Sequence, residues 1–245
     1  GDLPVAEQVE AMRNPELRNA LLSEEFEAGH PFNALARNWE WMFPLDDPPN
    51  YAPPKEMSMA GQAASRGCTP QEIAYDRILE TEGKGLFLAA LGNYENASLE
   101  GAHEMLSHPQ CIPALGDGGA HYGAICDASY STFLLSHFVR DDSDLNFDLV
   151  QAVHMLSAKS AAAVGLNDRG VLTVGAKADL NVINLEALKL HIPEIVHDLP
   201  AGGRRLHQRA TGFEATIVSG ELIRRFDKST GARPGKLVRG VQPAW

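Results

Sequence analysis

Short apolar segments alternate with capped helical segments from Thr69 onward, and this alternation limits the fold more than any other feature of the sequence. Thr69-Pro70-Gln71-Glu72 has the pattern of a capping box with proline at the first helical position, which predicts a helix from Pro70. Leu86 to Leu91 is a short continuous apolar run, typical of a strand buried on both faces. Strands of this kind separated by helices predict parallel βα units.

The same alternation continues toward the C-terminus. Ser98 is predicted to cap a helix that ends at Pro109, and Cys111 to Leu115 is predicted to form a second buried strand. Asn146 is predicted to cap a further helix, and an Ala-rich helix is expected to end at Gly165. These elements predict an α/β fold.

Local composition divides the chain into three predicted regions. Residues 1–67 are rich in proline and aromatic residues and predict an irregular lid or insertion with one short helix near Glu7 to Leu22. Residues 68–168 hold the predicted βα units. Residues 169–245 are predicted to form part of a small β domain with a basic tail.

Two segments of the last region carry β signals. Asp179 to Leu185 is predicted to be a strand. Ala215 to Arg225 is predicted to be a hairpin that turns at Ser219-Gly220, since glycine and serine suit a two-residue hairpin loop.

Composition excludes several classes of protein. With 44% hydrophobic and 22% charged residues, the 245-residue chain has an ordinary globular composition, and no apolar run approaches the roughly 18 residues that a membrane span needs. Three cysteines, Cys68, Cys111 and Cys126, are an odd number without a CxxC pair, which argues against a disulfide framework. We therefore expect no membrane partner and a reducing, cytoplasmic location.

Charge is unevenly distributed along the chain. Residues 200–245 carry 9 Lys+Arg and 3 Asp+Glu, whereas the first 199 residues carry 12 and 29. An acidic body repels phosphate backbones, so nucleic acid is not an expected partner. The basic tail is expected to lie against acidic surface of the same protein or of a partner subunit, which leaves a homo-oligomer open.

One acidic residue, Asp117, stands where chemistry is expected. The predicted strand Cys111 to Leu115 leads into Gly-Asp-Gly-Gly-Ala-His, which places the Asp117 carboxylate at the carboxyl end of a strand, beside glycines that allow a substrate or ion close to the backbone. An acidic turn, in which Asp117 bonds its own loop amides, explains the same residues. Spacing alone leaves both interpretations open.

Three stretches of the sequence resemble the amidohydrolase superfamily, and within it the D-aminoacylases, which deacylate N-acyl-D-amino acids. They are Ala-Leu-Gly-Asp-Gly-Gly-Ala-His at 114–121, Ser-His-Phe-Val-Arg-Asp at 136–141, and Gly-Leu-Asn-Asp-Arg-Gly-Val-Leu-Thr-Val-Gly-Ala-Lys-Ala-Asp-Leu at 165–180. The resemblance implies a metal-dependent (β/α)8 TIM barrel with a small β-sandwich, a zinc ion at the barrel mouth and hydrolysis of a linear amide.

The resemblance also implies a role for Asp117. Family members place an aspartate at the end of the eighth barrel strand, where it is a metal ligand and the general base and acid. Asp117 would accept a proton from metal-activated water and deliver it to the leaving amine nitrogen. The substrate would be an N-acyl amino acid.

The sequence departs from the family in its other metal ligands. The family's His-x-His pair does not occur among the nine histidines. A closed barrel with its helices typically needs about 250 residues, yet only two barrel strands are predicted here, or three if Ala34 to Trp41 forms one. The chain is therefore predicted to be the C-terminal portion of a longer hydrolase. The upstream half, or a partner chain, would supply the other ligands, and the chain alone would be inactive.

Four further residues are predicted to bind substrate, each with an alternative. The amides of Gly118 and Gly119 could hold an oxyanion or a carboxylate. Tyr94 follows the first predicted strand, and its hydroxyl could orient an acyl oxygen or simply close a βα loop. Arg140 could bind the substrate carboxylate or pair with a neighbouring acid such as Asp141.

Two other functions remain open at this point. One is cyclic-amide hydrolysis, as in hydantoinases and dihydroorotases of the same superfamily. The other is a non-catalytic assembly subunit, in which the βα units and the basic tail serve only to dock with another chain.

Overall fold

The structure is a computed structural model that describes residues 3–24, 36–115, 119–141 and 144–244. Its internal contacts group the chain into two units, Gly1–Ala102 and His103–Trp245. The division into three regions predicted from composition stays a prediction.

Among its described residues, the first unit has four helices and one pair of strands. They are α1 (Val5–Met12), α2 (Pro15–Ser23), β1 (Met42–Leu45), α3 (Met59–Arg66), α4 (Pro70–Glu80) and β2 (Leu86–Ala89), with 3₁₀ turns at Trp39–Trp41, Lys55–Met57 and Glu95–Ala97. The single helix predicted near Glu7 to Leu22 is divided in two. Asn14 accepts hydrogen bonds from the backbone N–H groups of Glu16 and Leu17 and so caps a new helix.

The predicted capping box of α4 is confirmed. The Thr69 hydroxyl accepts a hydrogen bond from the Glu72 backbone N–H at 3.3 Å, and the Glu72 carboxylate accepts one from the Thr69 backbone N–H at 2.8 Å. The helix that starts there packs Ile73 against Met59 and Ala63 of α3 to form the buried cluster of this unit. The cap at Thr69 and the packing of Ile73 therefore both support a helix that begins at Pro70.

The strand predicted at Leu86 to Leu91 forms over Leu86–Ala89, but it is antiparallel and only partly buried. It pairs with β1, with Met42 opposite Ala89 and Leu45 opposite Leu86. The prediction of a parallel strand buried on both faces is wrong. An apolar run indicates burial but not direction, because direction is set by a partner strand that lies about 40 residues upstream in this chain.

In its described residues, the second unit begins within α5 (Glu100–Ser107) and continues through a 3₁₀ turn at Asp127–Ser129 and three further helical segments. They are α6 (Tyr130–Leu135) with π-helical turns over Ser136–Asp141, α7 (Leu149–His154) with π-helical turns over Met155–Lys159, and α8 (Ser160–Ala163). The cap of α7 is Asp148, whose carboxylate accepts from the Val150 backbone N–H at 2.8 Å, and not Asn146 as predicted. Asp148 also has Gln151 three residues later, which completes a capping box.

The second predicted strand, Cys111 to Leu115, is wrong. These residues are neither helix nor strand, and Pro113 lies buried at their centre. Proline has no N–H to donate to a neighbouring strand, which disfavours a central position in a sheet. Within the described ranges no two strands pair in parallel. The mixed α/β composition agrees with the predicted class, and barrel geometry stays a proposal.

The β part of the second unit has one four-stranded sheet and two short ribbons. Its strands are β3 (Leu180–Ile183), β4 (Lys189–Leu190), β5 (Glu194–Val196), β6 (Arg205–His207), β7 (Ala210–Thr211), β8 (Phe213–Val218), β9 (Glu221–Arg225) and β10 (Lys228–Ser229), and a 3₁₀ turn spans Pro200–Gly202. The sheet has the order β10-β9-β8-β3, and the ribbons are β4-β7 and β5-β6.

The hairpin predicted at Ser219-Gly220 is confirmed between β8 and β9. Both turn residues have positive φ, 52° for Ser219 and 82° for Gly220, as a type I′ turn requires.

Among the described residues, no helix combines the length and the apolar character that crossing a membrane demands.

Candidate functional site

A cleft of about 350 Å³ opens in the second unit, between residues 119–132 on one side and residues 205–210 on the other. It has apolar walls and a small set of polar groups. The residues that line it are Leu115, Gly119, Ala120, Tyr122, Ile125, Cys126, Asp127, Ala128, Ser129, Thr132, Leu190, Arg205, Leu206, His207, Gln208 and Ala210.

Hydrogen bonds join the two sides of this cleft. The Leu206 backbone N–H of β6 donates to the Tyr122 carbonyl at 2.7 Å. The Ser129 hydroxyl donates to the Gln208 side-chain oxygen at 2.5 Å, and the Gln208 amide donates to the His191 carbonyl at 2.8 Å. Backbone and side-chain hydrogen bonds therefore hold the two sides of the cleft together, although these sides lie about 80 residues apart in sequence.

Arg205, which lines the cleft, forms an ion pair with Asp198. The guanidinium donates from Nε and Nη2 to the two carboxylate oxygens, each at 2.7 Å, and its Nη1 lies 3.2 Å from His207 Nδ1. The hydrogen bonds from Arg205 hold the pKa of Asp198 below its usual range, and those to Asp198 raise the pKa of Arg205. Asp198 thus fixes the direction in which Arg205 points.

Cys126 lies in the cleft as a half-buried thiol. Burial raises its pKa, the negative charge of Asp127 raises it further, and the positive charge of Arg205 opposes both with a smaller effect. Since the thiolate is the reactive form of cysteine, Cys126 is a poor nucleophile here. Because Cys126 lines the cleft, its rate of alkylation reports whether a ligand covers the cleft.

Two of the predicted site residues, Asp117 and Gly118, lie outside the described residues. The nearest described residues before and after them in the sequence, Leu115 and Gly119, both line the cleft. Gly119 has a φ of +103°, and a Cβ built on it would lie 3.4 Å from the Tyr122 hydroxyl oxygen. This backbone conformation is one that residues with a Cβ rarely adopt, which explains glycine at this position.

Tyr94 belongs to the first unit and has a structural environment there. Its side chain is buried, its hydroxyl donates a hydrogen bond to the Pro53 carbonyl, and its ring lies edge-to-face against Trp41 and Phe43 at centroid distances of 6.4 and 6.2 Å. Burial raises the pKa of the hydroxyl. These contacts favour the alternative of a tyrosine that closes a loop, and substrate binding by Tyr94 stays a prediction.

Arg140 has partners within the protein for all three guanidinium nitrogens. Nε and Nη2 donate to the Asp141 carboxylate at 2.6 and 2.9 Å, and Nη1 donates to the carbonyls of Leu185, at 2.9 Å, and Leu188. These contacts favour the alternative of an ion pair with Asp141, and the hydrogen bonds to the two carbonyls join the π-helical turns to the loop before β4. Binding of a substrate carboxylate by Arg140 stays a prediction.

No metal centre forms among the residues that the structure describes. Across residues 3–24, 36–115, 119–141 and 144–244, no three His, Cys, Asp or Glu side chains come together in a way that could hold a metal ion. The donor set that zinc prefers, three or four nitrogen, sulfur or carboxylate ligands, is not met by them.

The polar groups that meet in the cleft were not identified from the sequence. Arg205, His207 and Gln208 fall in the basic tail, and the sequence indicates no more for Cys126 than a free thiol. The one available signal is the alternation in Arg205-Leu206-His207, which places Arg205 and His207 on the same face of a strand. That pattern does not show what the face meets.

Comparison with known proteins gives one family and a small group of solved structures. The family model described as the amidohydrolase family matches residues 70–224. In a search of the curated proteins, no protein matches.

Two of the similar solved structures are D-aminoacylases. One, a D-aminoacylase mutant in complex with CuCl2, is 22% identical with a TM-score of 0.41, over 78% of this chain and 36% of that one. The other, a D-aminoacylase said to define a novel subset of amidohydrolases, is 19% identical with a TM-score of 0.43, over 93% of this chain and 44% of that one. The chain spans less than half the length of either.

Proposed function

This chain belongs to the amidohydrolase family, whose model matches residues 70–224, and on that premise we propose that it is the C-terminal part of a metal-dependent hydrolase. The bond cleaved is a linear amide, and the substrate class is the N-acyl-D-amino acids that the sequence motifs indicate. The observation that carries the proposal is the place of Asp117 in the chain, between Leu115 and Gly119, which both line the cleft.

Asp117 is the proposed general base and acid. A carboxylate beside the scissile bond can take a proton from the attacking water and then pass it to the leaving amine nitrogen, so one residue serves both halves of the reaction. The amides of Gly118 and Gly119 are the proposed donors to the oxyanion that forms between these two proton transfers. The positive φ of Gly119 supports this assignment, because glycine lets the backbone approach a ligand closely.

The metal proposed from the sequence motifs is zinc, with Asp117 as one ligand. The described residues do not fit a metal centre, as shown above. The proposal therefore assigns the other ligands to residues outside the described ranges, in an upstream segment or in a partner chain, and the chain alone is expected to be inactive. No step of the proposed proton transfer is assigned to the metal.

The experiment compares the 245-residue chain alone with the same chain extended by the sequence encoded upstream of Gly1. Both are assayed for zinc content and for amine release from N-acyl-D-amino acids and from hydantoins. The expected result is zinc binding and hydrolysis of N-acyl-D-amino acids by the extended chain only. Full activity of the chain alone would refute its dependence on further residues, and faster hydrolysis of hydantoins would favour a cyclic-amide hydrolase.

A further inference from the structure

We propose that the cleft between residues 119–132 and 205–210 is a binding site for a small organic carboxylate with an apolar body, in which Arg205 and His207 receive the carboxylate. The choice of an N-acyl amino acid as the natural member of this class rests on the proposed function. The existence of the site rests on the cleft itself.

The apolar walls of the cleft have surface to bury. Leu115, Tyr122 and Ile125 line it and are 37%, 45% and 41% exposed, although each is a large apolar or amphipathic side chain. A ligand that covers them removes this apolar surface from water, which favours binding. A volume of about 350 Å³ is within the range of small-molecule pockets.

The polar end of the cleft offers hydrogen-bond donors. A guanidinium has five N–H donors, of which Arg205 uses two on Asp198 and one on His207 within the described residues, so two remain for a ligand. When His207 Nδ1 accepts from Arg205, its Nε2 carries a proton and becomes a further donor. Donors of this kind suit a carboxylate, which accepts two or more hydrogen bonds.

Acidic groups near the cleft limit its affinity for an anion: Asp198 and Asp127 among the described residues, and Asp117 by the proposed function. The charge of Asp198 is paired with Arg205 by two hydrogen bonds of 2.7 Å. Asp127, which also lines the cleft, is exposed to solvent, where its charge is screened. A cationic ligand would instead be attracted by Asp127 and repelled by Arg205.

The first experiment measures binding to the 245-residue chain by isothermal titration calorimetry. The probes are N-acetyl-leucine, acetate, N-acetyl-leucinamide and leucinamide, which carry respectively both groups, the carboxylate alone, the apolar body alone, and a cationic amine. N-acetyl-leucine is expected to bind at least about tenfold more tightly than each of the others, because only it uses both ends of the cleft. No binding of N-acetyl-leucine, or tighter binding of acetate or leucinamide, would overturn the proposal.

The second experiment compares two arginine variants of the β5-β6-β7 region. Arg205→Gln is expected to weaken N-acetyl-leucine binding by about tenfold and to leave N-acetyl-leucinamide unchanged, since only the former has a carboxylate. The matched control is Arg209→Gln, because Arg209 pairs with Glu194 at 3.0 Å, is 69% exposed and does not line the cleft. Equal affinity of Arg205→Gln and the unchanged chain would overturn the role of Arg205.

A third measurement needs no substitution and so does not depend on how well a variant folds. Cys126 lines the cleft, whereas Cys68 and Cys111 do not. Saturating N-acetyl-leucine is expected to slow alkylation of Cys126 at least about fivefold while Cys68 and Cys111 react at unchanged rates, as located by mass spectrometry. Unchanged alkylation of Cys126 would place the ligand elsewhere and overturn the proposal.

These results separate the binding site from the proposed function. Binding with protection of Cys126, but no hydrolysis by the extended chain, would refute amide hydrolysis and keep the site. Hydrolysis by the extended chain without protection of Cys126 would keep the proposed function and refute the site.

Discussion

Asp179 is the residue whose substitution is expected to reveal most about the stability of the β part. It lies just before β3, and its carboxylate accepts a hydrogen bond from the Lys177 ammonium, another from Arg169 Nη1 at 3.2 Å, and a third from the Ser219 backbone N–H at 2.8 Å. Ser219 forms the turn between β8 and β9. Asp179 therefore joins the start of one strand of the sheet to the hairpin beside it.

The expected cost of Asp179→Asn is about 2 kcal/mol at pH 7. Hydrogen bonds to charged groups contribute about 1.5–3 kcal/mol each, and asparagine keeps an oxygen for Ser219 but loses the charge that Lys177 and Arg169 bind. The carboxylate is 26% exposed, so water screens part of this interaction and the lower half of the range applies.

The pH dependence has a definite sign. Burial alone would raise the pKa of Asp179, but the hydrogen bonds from Lys177 and Ser219 and the charges of Lys177 and Arg169 outweigh it, so its pKa is lowered. A carboxyl whose pKa is lower in the folded than in the unfolded state contributes stability above its unfolded pKa, about 3.9, and loses it as the pH falls through the folded value. The difference between the unchanged chain and Asp179→Asn should therefore shrink as the pH falls below about 4.

The assay is urea denaturation followed by far-UV circular dichroism, at pH 7 and at about pH 3. Glu214→Gln is the matched control, because Glu214 is an exposed carboxylate on β8 of the same sheet. The control is expected to change the free energy of unfolding by less than about 0.5 kcal/mol. A loss below that value in Asp179→Asn at pH 7, or a loss of the same size at both pH values, would refute the reasoning.

Three further substitutions test single features of the structure, each by the midpoint of urea denaturation. Tyr94→Phe is expected to cost about 1 kcal/mol, because the Pro53 carbonyl loses its buried donor; no change would contradict a structural role for that hydroxyl. Thr69→Ala is expected to cost about 1 kcal/mol through loss of the helix cap, and an unchanged midpoint would argue against the capping box. Gly119→Ala is expected to cost about 1–3 kcal/mol, because φ is +103° there, and to change the alkylation rate of Cys126. If the stability and the alkylation rate both stay the same, residue 119 adopts another conformation.

Features set by a few neighbouring residues could be predicted from the sequence. The capping box at Thr69 and the hairpin turn at Ser219-Gly220 depend on residues within four positions of each other, and both form as expected. The cap of α7 shows the limit of this approach. Asn146 and Asp148 are both good capping residues, and only the pairing of Asp148 with Gln151 distinguishes them.

Features set by distant partners could not be predicted. The direction of Leu86–Ala89 depends on β1, which lies about 40 residues away in the sequence. The wrong strand at Cys111 to Leu115 has a local cause instead, because Pro113 is visible in the sequence and disfavours a central strand. The cleft depends on contacts between residues 119–132 and 205–210, which no local pattern relates. The same holds for the partners of Tyr94, whose hydroxyl bonds to a carbonyl 41 residues upstream.

The proposed cleavage of amides by this member of the amidohydrolase family depends on Asp117 as the residue that moves the proton. The test measures kcat for an N-acyl-D-amino acid in the extended chain at equal bound metal. Asp117→Asn is compared with the control Asp227→Asn, which lies in the turn between β9 and β10. The account predicts a fall of at least about a hundredfold for Asp117→Asn and none for Asp227→Asn. Equal kcat values for the two variants would contradict it.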